Sequence, residues 1–225
     1  MTQLVRSTLC LAILAVSATT AAAQTCAGTA SFATGPVRIG AALDFAKDAK
    51  QYGGQIAFGQ AAGPFAGLSI GRIDPDDTDE SATLYAGEIG YSLNMAGRGT
   101  LEVCPVLGYG YASLDVNEGG FTADVTSRVL SAGFLIGGAV SSTPTLSVVP
   151  SIGLSYVNQK VEVDSDFLAF DESEDFGLVT LAAGFVFNQK ITFRPNIAIP
   201  VGLDDSDPTY GVGIAINFGT PRGSR

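Results

Sequence analysis

Five charged residues, Arg38, Asp44, Glu88, Glu102 and Arg194, each sit in stretches with no other charge within two positions on either side. A charge carried into an apolar interior must find an opposite charge or several hydrogen bonds, because an unpaired one is too costly to bury. Arginines facing carboxylates could build a plug or gate, or a static network that fills a narrow interior. Static filling is the reading adopted. A denser group lies in DPDDTDES, where Asp74, Asp76, Asp77, Asp79 and Glu80 offer oxygen ligands to a hard cation. The stretch lacks the glycine and the terminal glutamate of a calcium-binding EF-hand loop. It is read as a solvated acidic face, with no metal assigned and these five as weak candidates.

Other chemistry is ruled out by what the chain lacks. With no histidine, the Ser-His, Cys-His and Asp-His catalytic arrangements and imidazole zinc sites cannot be built. There is no tryptophan, no phosphate-binding glycine loop and no Cys-x-x-Cys. No catalytic residue and no cofactor is assigned, and the chain is read as a non-enzyme. A formal charge of -10 excludes nucleic-acid binding by phosphate neutralisation. Yet only 15% of the residues are charged and mean hydropathy is +0.31, which is oily for an acidic soluble protein.

The elements that position these residues begin with an export leader. Arg6, the apolar run Leu9–Val16 and the small residues Ala21–Ala23 form a signal peptide over 1–23. The run is shorter than the roughly 20 apolar residues that cross a bilayer as a helix. Cys10 leaves with the leader, so Cys26 and Cys104 remain in an exported chain. Such a pair favours a disulfide.

From Val37 onward, bulky residues alternate with small ones. Ile191, Phe193, Pro195, Ile197, Ile199, Val201 and Leu203 share one face, and Thr192, Arg194, Asn196, Ala198, Pro200 and Gly202 the other. This period of two predicts strands at 37–46, 51–60, 64–73, 83–95, 100–114, 124–140, 145–160, 176–188, 191–203 and 209–218. Eight strands after an irregular start is the fallback. By parity, Arg38, Asp44, Glu88, Glu102 and Arg194 lie on the small-residue face. A soluble barrel would turn bulky residues inward and polar ones to water. Here the other face is Gly, Ala, Ser and Thr, a poor soluble exterior but a fitting crowded interior, while the bulky face suits lipid.

The connections divide into two sets. One is short and neutral or basic; the other, which includes loops at 115–124 and 161–175, gathers every acidic residue except Glu88 and Glu102. Short periplasmic turns opposite longer outer loops characterise outer-membrane barrels. Aromatic residues fall into two bands, with Phe45, Tyr52, Tyr85 and Tyr210 near one rim and Phe58, Tyr91, Phe187 and Phe218 near the other.

The last segment, GVGIAINF, alternates and closes on phenylalanine; with Tyr210, Val212, Ile214, Ile216 and Phe218 on one face, it resembles the assembly signal of Gram-negative outer-membrane barrels. The stretches Pro105-Val-Leu-Gly108 and Pro150-Ser-Ile-Gly153 are similar to the small opacity/OmpA-like barrel family. The resemblance covers the mature chain and departs from it in the tail 219–225. It implies an all-β, closed antiparallel up-and-down transmembrane barrel with both termini in the periplasm. It further implies outer-membrane lipid, lipopolysaccharide and the barrel-assembly machinery as partners, a monomeric state and a bacterial outer-membrane location. The expected organisation is leader 1–23, periplasmic segment 24–36, barrel 37–218 and tail 219–225. The expected role is structural or surface-interactive, with a narrow passive channel and an adhesin or ligand-binding barrel as alternatives.

Proline recurs at 105, 150 and 195, early in strands, where a missing ladder donor is tolerated near interfacial water or a bulge. Cys104, near the start of its strand, and Cys26, just before the first, are expected to join under the barrel mouth.

Overall fold

A computed structural model describes residues 25–76, 80–95, 101–118, 121–143, 145–165, 169–203 and 206–219. The leader 1–23, Asp77, Asp79 and the tail beyond Gly219 lie outside them. The strands are β1 (Val37–Ala46), β2 (Ala49–Gly59), β3 (Gly63–Pro75), β4 (Ala82–Asn94), β5 (Glu102–Glu118), β6 (Phe121–Gly137), a two-residue β7 (Ser141–Ser142), β8 (Leu146–Ser165), β9 (Ala169–Phe187), β10 (Ile191–Val201) and β11 (Thr209–Phe218). Each long strand pairs antiparallel with its sequence neighbours, β6 pairs with β8, and β1 pairs with β11. The result is a closed, up-and-down, ten-stranded barrel, with β7 a short pairing on β8.

The walls follow the alternation. Large apolar side chains face outward, among them Ile39, Leu68, Ile89, Leu107, Leu154 and Ile214, each between 50% and 65% exposed. Register gathers the outward aromatics toward the rims: Phe45 stands opposite Tyr210 and Tyr85 opposite Tyr111, while at the other end Val37 lies between Phe218 and Phe58. At that end the β9–β10 hairpin turns on Asn188 and Gln189, both at positive φ, with Lys190 N donating to Phe187 O at 3.0 Å. The loop has three residues, 188–190, because Phe187 pairs with Ile191, and the two left-handed residues reverse the chain tightly within it.

Three expectations need correction. The loops expected at 115–124 and 161–175 are largely strand, since β5 and β6 run to Glu118 and from Phe121, and β8 and β9 to Ser165 and from Ala169. Continuous pairing with a neighbour overrides the low strand preference of their acidic residues. At roughly 3.3 Å per residue, the 20 residues of β8 reach about twice as far as the 10 of β1. Four strands therefore project as a sheet beyond the other six.

The second correction concerns the interior, which is small and polar only over part of its height. Toward the projecting end it holds a packed apolar core of Ile73, Leu84, Leu114, Val129, Val157, Phe176 and Leu178 with small neighbours.

The third concerns residues 25–36. Expected beneath the barrel, they instead enter its mouth as two short 3-10 turns, η1 (Thr25–Ala27) and η2 (Phe32–Thr34), with Cys26, Ala27, Thr29, Ala30 and Phe32 all buried.

Pro150 pairs with Ala183 in an unbroken ladder, whereas Pro105 and Pro195 interrupt pairing without shifting it. The β4–β5 ladder passes from Gly90↔Val106 to Leu93↔Val103, and the β9–β10 ladder from Phe193↔Phe185 to Asn196↔Ala182, in unchanged register. These are gaps at Pro105 and Pro195, not bulges. Both occur where the N-terminal segment meets the wall. Cys104 adjoins the first gap. Gly184 borders the second, and a Cβ on it would sit within 1.9 Å of Gly28 O.

Candidate functional site

The interior is occupied in three layers. At the mouth, Cys26 and Cys104 form a disulfide closing a sequence separation of 78, with their Cα atoms 6.1 Å apart. Arg38 fastens the entering segment from β1. Its guanidinium carbon lies 4.4 Å from the Phe32 ring centroid, its Nε donates to Asn217 Oδ1 at 3.0 Å, and its Nη2 donates to Ala30 O. Thr192 Oγ1 accepts from Ala30 N at 3.1 Å, and Asn217 Nδ2 donates to Ser31 O at 2.9 Å. Sequence reading found the cysteine pair but had no signal for Phe32, Thr192 or Asn217, which meet only once β1, β10 and β11 are adjacent.

The five isolated charges are all buried, but they do not form one group. Arg38, Glu88 and Arg194 lie within electrostatic reach of one another, and Asp44 within reach of Arg194. Register accounts for Arg38 and Glu88: Glu88, Gly67, Ala57, Arg38 and Asn217 lie along one line of cross-strand partners. Two arginines and two carboxylates share that layer, so their formal charges cancel. Glu102 stands apart at the mouth, where its carboxylate accepts from Ser92 Oγ at 3.2 Å and lies within 4.8 Å of the disulfide sulfurs. Those sulfurs are bonded to each other and are not metal ligands. Beside Asp44, Gln51, Gln55, Ser69 and Leu84 line a cavity of about 20 Å³, room for about one water.

The third layer is the apolar core already described. Above it, the candidate acidic ligands disperse. Asp74 meets Arg72 Nε at 3.7 Å and Asp76 meets Lys50 Nζ at 3.3 Å, with Asp74 46% and Asp76 48% exposed. Glu80 lies just before β4. Among the described residues these carboxylates do not gather as three ligands.

The projecting sheet carries an ordered charge pattern. Lys160 bridges Glu162 at 3.1 Å and Asp171 at 3.3 Å, and Arg128 reaches Glu162 at 3.4 Å. The hydrogen bonds to Glu162 and Asp171 hold the Lys160 ammonium above the usual lysine range. Asn158 Nδ2 donates to Asp175 Oδ1 at 2.7 Å. That bond, and another from Tyr156, hold the Asp175 carboxyl below the ordinary aspartate range. Glu174 moves the other way, pushed up by burial and then by the charge of Glu172.

The β11 residues Tyr210, Ile214, Ile216 and Phe218 are exposed on the outer wall, with Val212 half-buried among them. Their strand closes the barrel between β1 and β10.

No protein-family model and no curated protein matches the chain. Among solved structures it is similar to the translocator domain of the autotransporter NalP from Neisseria meningitidis, at 14% identity and TM-score 0.48, covering 81% of this chain and 88% of that one. It is also similar to the N-terminal β-barrel domain of Pseudomonas aeruginosa OprF, at 16% identity and TM-score 0.37, covering 82% and 98%. A third is Ail, the attachment invasion locus protein of Yersinia pestis, at 15% identity and TM-score 0.37, covering 82% and 99%.

Proposed function

We propose that the chain is an outer-membrane barrel of a Gram-negative bacterium that conducts nothing and serves a structural or surface-interaction role. The apolar outer wall between two aromatic rims suits a bilayer. The leader read from the sequence suits export, and the end holding Val37 and Phe218 is then periplasmic. Closure leaves no free edge within the wall, in keeping with a monomer held by lipid and lipopolysaccharide after insertion by the assembly machinery. The absence of histidine supports a non-enzymatic role.

The observation that carries this reading over a channel is the filled interior: the disulfide-tethered segment, the balanced charges and the apolar core succeed one another along the barrel. Purified full-length protein in planar bilayers is expected to give no unitary current steps. Stable, reproducible steps would establish the channel reading instead.

A further inference from the structure

The projecting sheet has an open side. β9 pairs with β8 along its whole outer length, from Ala169↔Asp164 to Phe176↔Val157, but β10 reaches only as far as Val201↔Gly177. Among the described residues no strand covers the second edge of Ala169–Phe176. That edge presents a row of backbone donors and acceptors, the feature through which sheets add further strands.

Its side chains divide by face. Asp171 and Asp175, on one face, are engaged from β8 by Lys160 and by Asn158. Glu172 and Glu174, on the other, stand opposite the uncharged Val161 and Gln159. Among the described residues neither glutamate forms an ion pair. They are flanked on the same face by Phe170, which packs against the apolar core, and by buried Phe176. One face of the edge therefore reads apolar, acid, acid, apolar.

We propose that Ala169–Phe176 is the docking edge for an extended basic segment of another protein, which joins the sheet as an additional strand. The fitting segment carries lysine or arginine at two alternate positions, opposite Glu172 and Glu174, because facing residues on paired strands bring their side chains together. An apolar residue two positions further along falls opposite Phe170. The same carboxylates reject acidic strands. They also reject a second copy of this chain, whose other projecting edge, on β5 beyond its last β4 partner Ser113, carries the exposed Asp115. The inference rests on the reading that this end faces the outside of the cell.

The probe is a short alternating valine–lysine peptide, titrated by fluorescence anisotropy against the full chain in a neutral detergent. Two comparison peptides are used: a valine–glutamate peptide, and a valine–lysine peptide with alternate backbone nitrogens methylated, which keeps its charge and loses ladder donors. Saturable binding is expected for the first peptide alone, and E172K/E174K should weaken it by about tenfold or more. E172Q/E174Q, which preserves shape, should weaken it less. A closed barrel is expected to migrate differently before and after boiling, and the same difference in the variants verifies that they are folded. No binding, equal binding of the methylated peptide, or equal binding by E172K/E174K overturns the proposal. Labelling intact cells tests the orientation separately. If the peptide binds purified protein but reaches cells only after the outer membrane is opened, the edge stands and the topology is inverted.

Discussion

Arg38 rests its guanidinium against the Phe32 ring at 4.4 Å from the centroid while its Nε donates to Asn217 at 3.0 Å. One side chain from the first strand thereby holds both the segment that enters the mouth and the last strand that closes the barrel. A fully buried arginine is tolerated here because its donors have acceptors in Asn217 and Ala30 and its face has an aromatic ring.

Arg38→Met keeps much of the apolar stem and removes the donors. Each buried acceptor left unmatched costs about 1–3 kcal/mol, so the urea midpoint should fall by an amount equivalent to at least about 2 kcal/mol. The segment 25–36 should also become sensitive to protease from the periplasmic side. Phe32→Leu, which keeps bulk but loses the ring, should fall less. An unchanged midpoint for Arg38→Met would show that the contact is not stabilising.

The outward and inward faces are tested by neighbours on β8. Leu154 is 51% exposed on the outer wall, whereas Ser155 faces inward. Leu154→Arg, which puts a charge on the lipid-facing wall, should destabilise the barrel by up to about 2–4 kcal/mol, depending on depth, or block assembly, while Ser155→Ala should insert and migrate as wild type. Gly153→Ser is a poorer comparison, because a Cβ there meets Leu135 Cδ2 at 2.8 Å. Equal behaviour of Leu154→Arg and Ser155→Ala would reverse the assignment of faces.

The wall was legible in the sequence because alternation is a local signal: β1 and β11 fall at the predicted 37–46 and 209–218. The outer halves of β8 and β9 were not. AFDESEDF has the composition of a loop, and only pairing with Lys160, Gln159 and their neighbours keeps it extended. The same parity that turned Arg38 and Glu88 inward also turns Val157, Phe176 and Leu178 inward, but reading bulky residues as lipid-facing concealed that core. The N-terminal segment has no periodicity at all. Only the spacing of Cys26 and Cys104 pointed to it, and that placed it under the mouth instead of within.

The disulfide should hold this segment in place. Non-reducing peptide mapping of exported protein should recover Cys26 linked to Cys104, with neither free. Its separation of 78 residues corresponds to about 4–5 kcal/mol in the chain-entropy description. Cys26→Ser should therefore lower the urea midpoint and loosen residues 25–36 to protease, yet leave bilayers silent, because the apolar core still fills the other half. Current steps in Cys26→Ser would show that the tethered segment alone closes the barrel.

The final prediction concerns pH and the projecting edge. Burial, and secondarily Glu172, raise the Glu174 carboxyl above its ordinary 4.5. A group whose folded pKa is raised favours the folded state while protonated. That contribution is complete below the unfolded value and is lost as pH rises through the folded one. At neutral pH the ionised Glu174 thus opposes folding of the outer sheet. Glu174→Gln should be more stable than wild type at pH 7, by less than about 1 kcal/mol given solvent screening, and the two should converge near pH 3. Glu172→Gln should give a smaller gain, because it relieves the lesser of the two causes. Urea midpoints of the three proteins across pH 3–8 measure this directly. A Glu174→Gln advantage that persists unchanged at the acid end would mean that the gain comes from packing or strand preference and not from the charge.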